Sequence, residues 1–489
     1  MNPLLLTDGY KVDHRRQYPT GTTLVYSNWT PRKSRNNDID EVVLFGLQYF
    51  IKKYILEDFE TYFFKQPKEK VVAEYSRRIN NYLGENQVGT KHIEDLHDLG
   101  YIPMVIKSLP EGASVPLRVP MFTMYNTKPE FFWLTNYFET LLSAIIWMPC
   151  TSATIAKQYR TVLDRYAEET SSVPEFVQWQ GHDFSMRGMS GIEAGLTSAC
   201  GHLLSFTGTD TIPAINLLEN YYNADSDKEL IGGSVAATEH SVMCMGTTDG
   251  ELETFRRLVC EIYPKGIVSI VSDTWDLWKV LTEYLPALKN EILARDGKVV
   301  IRPDSGDPVD IICGDPHGKS DVERKGVIEL LWETFGGHTN AKGYKELAPQ
   351  IGAIYGDSIT VERAVQICER LKEKGFSSTN IVFGIGSYTY QFNTRDTFGF
   401  AMKATYGEVL GEGREIFKDP VTDDGTKKSA KGLIKIEREN GTYILCDQVS
   451  WEEERQGELK EVFRDGKLLI DYTLAEIRSF LYRPNGGNE

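Results

Sequence analysis

The chain lacks any excess of positive charge: 54 lysines and arginines stand against 70 aspartates and glutamates, a formal net charge of -16 over 489 residues. That balance excludes indiscriminate nucleic-acid binding through a phosphate-tracking surface and leaves room only for local basic pockets. Cysteine is sparse too. The seven are scattered and odd in number, and no two have metal-ligand spacing. Neither a disulfide framework nor a zinc site is expected; the cysteines read as buried thiols in a reducing cytoplasm. Long apolar runs are missing. The longest uncharged segment, Thr140 to Ala156, contains Pro149 and falls short of the roughly 20 apolar residues of a membrane span, so it reads as a buried helix ending near Met148. Met1 to Asp8 has no basic start followed by an apolar stretch, which predicts a cytoplasmic protein without a secretory signal. No tandem repeat is found.

What is present is a recurring pattern. Four short apolar runs each end abruptly in a polar or glycine motif: Val268 to Ser272 into Asp273, Val299 to Ile301 into Arg302-Pro303-Asp304, Ile351 to Tyr355 into Gly356-Asp357, and Ile381 to Phe383 into Gly384 and Gly386-Ser387. Runs this short read as buried strands. Helical patterns such as Tyr284 to Arg295 and Val361 to Lys374 separate several of them, so right-handed crossovers predict parallel strands. In such a sheet or barrel the C-terminal strand edge carries the active site.

The flanking regions differ. Thr23 to Ser27 reads as a strand, Val42 to Tyr54 as a helix, Pro129 to Met148 as an aromatic-rich helix, and Phe176 to Gln180 as a strand. Beyond about Phe398, Asn440-Gly441 and Asp465-Gly466 each sit between strand-like runs and signal hairpins. The acidic-basic stretch Asp419 to Lys431 reads as a surface loop. The expected fold is α/β: an irregular β/α barrel over 151–396, with a smaller, mainly antiparallel domain built from 1–150 and 397–489.

Chemistry follows from the strand ends. Asp273, Asp304 and Asp357 suit ribose hydroxyls or a hydrated divalent ion, because carboxylates are hard ligands and strong acceptors. Arg187, Arg302 and Arg395 suit bidentate contacts to phosphate or carboxylate. Gly384 and Gly386 let backbone amides approach a phosphate closely, although the run matches neither a P-loop nor a dinucleotide fingerprint. Taken singly, each feature has an ordinary structural explanation.

Together the motifs resemble those of the nicotinamide phosphoribosyltransferase family. The matching stretches are Leu5 to His14, Phe45 to Tyr49, Trp133 to Thr140, His182 to Gly188, Gly208 to Thr211, Ser234 to Ser241, Ile301 to Gly306, Gly356-Asp357, Thr394 to Asp396 and Phe417 to Pro420. One departure is Gly386-Ser387-Tyr388, where three glycines are expected. The resemblance implies transfer of phosphoribosyl from 5-phosphoribosyl 1-pyrophosphate to nicotinamide. It also implies a head-to-tail homodimer with shared active sites, Mg²⁺, and ATP as co-substrate for phosphorylation of His240.

By the same resemblance, the pyridine ring stacks between Phe184 and the Tyr10 of a second subunit, with Arg302 as a third wall and Ser234 at the substrate. Asp210 accepts a hydrogen bond from the amide and repels the carboxylate of nicotinate. Arg187 and Arg395 take the pyrophosphate; Asp273, Asp304 and Asp357 lie near ribose, with Asp304 and Asp357 toward the metal. The amides of Gly356, Gly386 and Ser387 receive the 5′-phosphate. Arg32, Lys403 and Lys418 add positive potential at the dimer interface and count with His240 as cofactor-binding, and Asp273 is the expected orienter of His240. Nicotinate phosphoribosyl transfer is the nearest alternative. A non-enzymatic binding or signalling role is a more distant one, and the intact polar site opposes it.

Overall fold

The computed structural model describes residues 1–418 and 430–482. Most of the acidic-basic stretch Asp419 to Lys431, and the last two residues of the Phe417–Pro420 motif, lie outside the described residues. Contacts divide the chain into two compact units, one of Met1–Thr154, Asn216–Asp225 and Asn393–Glu489, the other of Ile155–Ile215 and Ser226–Phe392.

The first unit is built on a seven-stranded sheet whose paired strands are antiparallel throughout. Within it Thr22–Thr30 is flanked by Ala401–Val409 on one side and by the central strand Phe122–Asn126 on the other. Strands from both chain ends therefore interleave in one sheet, as the sequence pattern predicted. Both hairpins form as expected. Leu433–Glu439 and Thr442–Val449 turn through Asn440 and Gly441, and Lys460–Arg464 and Lys467–Leu468 turn through Asp465 and Gly466. All four turn residues have positive φ, the geometry that a two-residue hairpin loop requires.

Two local expectations fail here for identifiable reasons. Val42 to Tyr54 is not one helix: Glu41–Val43 pairs with Ser114–Pro116 as a strand, and helix begins only at Leu47, after Gly46 adopts φ 103°. The β-branched pair Val42-Val43 favours the strand. Conversely, helix does not stop near Met148. A single helix runs from Glu139 through Pro149 to Thr170, although proline removes the bond to the carbonyl one turn earlier. Pro149 is held by packing: a Cβ on Gly46 would lie 2.6 Å from its Cγ. Pro129 to Tyr137, expected as the start of this helix, forms separate short turns. Among the described residues no single helix is long and apolar enough to cross a membrane.

The second unit holds seven parallel strands: β1 Gly181–Asp183, β2 Gly208–Thr209, β3 Ala236–Ala237, β4 Lys265–Val271, β5 Asp296–Arg302, β6 Ile351–Tyr355 and β7 Ile381–Ile385. Their order is β2-β1-β7-β6-β5-β4-β3. Backbone bonds from Thr209 to Gly233 (3.0 Å) and from Gly233 to Thr207 (2.8 Å) bring the segment entering β3 beside β2, so the sheet curls into a barrel. Strand residues alternate sides. Val268, Ile270, Val299 and Ile301 are fully buried in the apolar core outside the barrel, whereas Ile267, Ser269, Lys298, Val300 and Arg302 line its lumen. The four strands expected from the apolar runs all form. Phe176 to Gln180 does not form one: Pro174 opens a helical turn over this stretch, and β1 starts one residue later. Tyr284 to Arg295 is likewise a series of short helical segments, with Pro286 in the first turn of one of them.

The contact between Gly46 and Pro149 predicts a specific cost. Gly46→Ala should destabilise the protein by roughly 2–4 kcal/mol, combining backbone strain with a collision. Gly84→Ala, where φ is 71° but nothing lies within 4 Å, should cost about 1 kcal/mol. Chemical denaturation of both variants checks the difference.

Candidate active site

The C-terminal ends of the barrel strands converge on a polar mouth. Asp183, the last residue of β1, is fully buried. Its carboxylate accepts from the Ser185 amide (3.0 Å) and hydroxyl (2.6 Å), from Thr209 (2.9 Å) and from Thr211 (2.7 Å). Four donors satisfy a charge that would otherwise be costly to bury. They also tie the end of β1 to the end of β2. The Asp210 amide adds a bond to the Asp183 carbonyl (3.0 Å), and the Phe184 amide donates to Ile385 on β7 (2.9 Å). Phe184 and Asp210 are therefore fixed by backbone on neighbouring strands.

Asp210 is shaped by two further residues. His182 Nε2 lies 2.8 Å from its Oδ1, and the Ser234 hydroxyl donates to the same oxygen at 2.7 Å. Among the described residues no hydrogen bond engages Oδ2, and Asp210 lines the lumen. Burial pushes the Asp210 carboxyl up, but hydrogen bonds from His182 and Ser234, with the charges of His182 and Arg302, hold it below its ordinary value. The imidazole of His182 also packs on Phe184, with ring centroids 4.6 Å apart. Phe184 itself is set close to the backbone: a Cβ on Gly384 would meet its ring at 2.7 Å.

A second group forms at the ends of β4, β5 and β6. Asp273 Oδ2 accepts from the Asp304 amide (2.8 Å) and the Ser305 hydroxyl (2.6 Å). Arg302 donates to the Thr238 carbonyl at 2.5 Å, and its Nε lies 4.0 Å from Asp304 Oδ2. His240 Nε2 is 3.8 Å from the same Asp304 oxygen, while its Nδ1 faces the Thr274 hydroxyl at 3.4 Å. The carboxylate nearest His240 is thus Asp304, and the expectation that Asp273 orients it is corrected, because Asp273 is engaged by Asp304 and Ser305. Burial raises the Asp304 carboxyl, opposed by Arg302 and reinforced by Asp273, with smaller effects of His240 and Asp357. Oδ1 of Asp273 and Oδ1 of Asp304 are buried without a partner. Asp357 is exposed and accepts from Ser358 (2.7 Å). Gly356 is needed beside this group, since a Cβ there would fall 2.1 Å from Asp304 Oδ1. Gly386 and Ser387 follow β7, and Ser387 packs tightly against Gly188, next to the exposed Arg187.

The remaining predicted residues belong to the other unit. Tyr10 and Arg395 line a cavity of about 240 Å³ together with Asp8, Glu139 and Trp147. Arg32 donates to the Gly399 carbonyl (2.9 Å). Burial holds the Lys403 ammonium below its usual range; Glu139 opposes this, and the charges of Arg32, Lys418 and Arg395 add to it.

Comparison with known proteins decides the family. A model of the "Nicotinate phosphoribosyltransferase (NAPRTase) family" matches residues 179–467, and one of the "Nicotinamide phosphoribosyltransferase, N-terminal domain" matches residues 2–98. The nicotinamide phosphoribosyltransferase of Acinetobacter baylyi is 56% identical over 98% of this chain and 97% of its own length. Those of Mycoplasma pneumoniae (39%, covering 88% and 94%) and Xanthomonas campestris pv. campestris (32%, covering 98% and 97%) are also similar. The chain belongs to the nicotinamide phosphoribosyltransferase family. The fold agrees. A crystal structure of nicotinate-nucleotide pyrophosphorylase from Pyrococcus furiosus aligns with TM-score 0.56 at 14% identity over 97% of this chain and 93% of that one. Human nicotinic acid phosphoribosyltransferase aligns with TM-score 0.54 at 13% identity over 97% and 92%.

Within this family's motif His182 to Gly188, sequence reasoning assigned roles to Phe184 and Arg187 and gave none to His182 or Asp183. The available signal was the set of short hydroxyl residues, Ser185, Thr209 and Thr211, in the same motifs as Asp183 and Asp210. If His182 and Ser234 hold Asp210 ionised, His182→Ala and Ser234→Ala should each move the Asp210 titration to higher pH. Isotope-edited NMR titration of the carboxyl reads this directly, and an unmoved titration counts against the arrangement.

Proposed function

We propose that the chain transfers phosphoribosyl from 5-phosphoribosyl 1-pyrophosphate to nicotinamide, giving nicotinamide mononucleotide and pyrophosphate in NAD salvage. The observation that carries this reading is the Asp210 carboxylate. One oxygen is engaged by His182 and Ser234, the other has no hydrogen bond among the described residues, and Asp210 lines one cavity with Phe184 and Arg302. An open carboxylate oxygen accepts from the amide of nicotinamide and repels the carboxylate of nicotinate. Homology to relatives named for the nicotinamide reaction supports the same substrate. The nicotinate family model over 179–467 favours the acid as a second reading, and the charge at Asp210 opposes it.

In this reading Phe184 and Arg302 orient the ring so that its nitrogen faces ribose C1. That nitrogen is already nucleophilic, and no general base is needed. It attacks with inversion as pyrophosphate leaves, and Asp273, Asp304 and Asp357 stabilise the positive sugar. Arg187 and Arg395 bind the pyrophosphate, and the amides of Gly356, Gly386 and Ser387 the 5′-phosphate. The unpartnered oxygens of Asp273 and Asp304 fit a Mg²⁺ ion. Among the described residues no three acidic, histidine or cysteine side chains converge as a ready-made cage. This fits an ion bound through one or two carboxylates and substrate phosphates. When bound, Mg²⁺ neutralises charge on the leaving group.

His240 is the residue we assign to ATP-dependent phosphorylation, with Asp304 orienting its imidazole and Arg32, Lys403 and Lys418 supplying positive potential. Sites shared across a homodimer, with Tyr10 of the second subunit closing the ring pocket, and a cytoplasmic location complete the reading.

Assays of mononucleotide formation with matched nicotinamide and nicotinate, with and without ATP, test it. Wild type should use nicotinamide far better, and ATP should raise turnover in wild type but not in His240→Ala. Asp210→Ser should lose most of the amide preference; an unchanged ratio removes Asp210 from this role. For the shared site, a heterodimer of Tyr10→Ala with a His240→Ala, Arg302→Ala subunit should recover activity above either parent homodimer. A folded heterodimer without recovery, or a fully active monomer, contradicts it.

A further inference from the structure

The turn that follows β7 is tied to β1, β2 and β6, or to the loops after them, by groups that the proposed chemistry does not use. It comprises Gly386 and the helical turn Ser387–Tyr390. After β1, the Ser190 amide donates to the Gln391 side-chain oxygen (2.6 Å). After β6, the Thr389 hydroxyl donates to the Ile359 carbonyl (2.9 Å), and the buried Tyr159 hydroxyl reaches the same carbonyl (3.0 Å). Toward β2, the Tyr390 hydroxyl meets His202 Nδ1 at 2.7 Å, and His202 Nε2 meets the Gly208 carbonyl at 3.1 Å. A Cβ on Gly386 would meet no atom within 4 Å, so the turn is open at its entry and anchored at its far end.

The link to β2 is the most enclosed. Tyr390 and His202 are both fully buried, and the imidazole stacks on Phe206 with ring centroids 5.0 Å apart. Its protonation follows from its partners. A carbonyl only accepts, so Nε2 carries the hydrogen. Burial holds the imidazole below its ordinary value, with the charge of Asp183 opposing, so the ring is neutral near pH 7 and Nδ1 is a bare acceptor. Tyr390 therefore donates, and the bonds run in one direction from Tyr390 through His202 to Gly208. Gly208 opens β2, and Asp210 directly follows that strand. The link thus spans the strand end that carries Asp210 and the turn that carries the Gly386 and Ser387 amides.

We propose that Tyr390 and His202 are positioning residues for the phosphoribosyl donor, fixing the turn after β7 against β2 so that the Gly386 and Ser387 amides point at the 5′-phosphate. The inference rests on the reading that these amides receive that phosphate. Glycine at the entry leaves the backbone permissive, so the restraint comes from the far end of the turn. Amide donors bind a phosphate well only when already aimed at it, and a turn free to shift loses that aim without losing any residue that touches the ligand.

The test is calorimetric binding of ribose 5-phosphate, which carries the 5′-phosphate and no pyrophosphate, together with steady-state KM values for both substrates. Tyr390→Phe removes one hydroxyl. It should raise the Kd of ribose 5-phosphate and the KM of the donor by at least about fivefold, the scale of weakening one hydrogen bond to a charged group. The KM of nicotinamide, and kcat at saturating donor, should stay within about twofold, a split that general destabilisation does not produce. Because Tyr390→Phe leaves Nδ1 buried without a donor, the double variant Tyr390→Phe, His202→Leu supplies an apolar pair, and it should show the same rise rather than a larger one. Ser387→Pro reports on the phosphate itself, since it removes one amide hydrogen at the first helical position, where proline is accommodated. Weakened binding by Ser387→Pro with a wild-type Kd in folded Tyr390→Phe or the double variant overturns the inference alone, as do equal rises in both KM values. No binding by wild type, or an unchanged Kd in Ser387→Pro, overturns the phosphate assignment and the inference with it.

Discussion

The buried carboxylate of Asp183 is the interaction on which the mouth of the barrel depends. It accepts four hydrogen bonds and is fully shielded from solvent, so it is a charge compensated entirely by local donors. Satisfying it draws Ser185, Thr209 and Thr211 to one point, and that point joins the ends of β1 and β2. Phe184 lies between Asp183 and Ser185 in sequence, and Asp210 lies between Thr209 and Thr211. A buried charge tolerates little rearrangement, because any displacement leaves it partly unpaired. The aromatic wall and the acceptor are thereby held at fixed separation without being locked to one another.

Asp210 illustrates how a second layer of contacts sets the charge and the hydrogen bonding of an aspartate. Directing His182 and Ser234 to the same oxygen does two things. It stabilises the anion, and it leaves the other oxygen as the open acceptor. At the opposite side of the mouth, burial and neighbouring acids push Asp304 the other way. Two carboxylates of one mouth with opposite tendencies are suited to different tasks.

Much of this architecture is legible in the residues. The four apolar runs ending at Asp273, Arg302, Gly356 and Gly384 form β4 to β7, and the Asn440-Gly441 and Asp465-Gly466 turns form both hairpins. These signals are local: a short apolar run must be buried on both faces, and a two-residue turn needs positive φ. The failures also have local causes that sequence leaves balanced. Val42-Val43 carried both helical and strand preferences until Ser114–Pro116 supplied a partner strand. Pro149 marked a helix end by propensity, yet its packing against Gly46 keeps the helix continuous.

The sequence by itself determined the parallel barrel, the antiparallel interleaving of the two chain ends and the family, because each is carried by periodicity, turn chemistry or ordered motifs. It also fixed which residue types stand at the strand ends. Only the tertiary structure decided that Asp304 rather than Asp273 faces His240, that His182 and Ser234 share one oxygen of Asp210, and that Lys298 lines an open lumen without a counter-ion among the described residues. Each of these depends on distances between side chains on different strands. Spacing along the chain carries no information about such distances until the strands are paired and the barrel is closed.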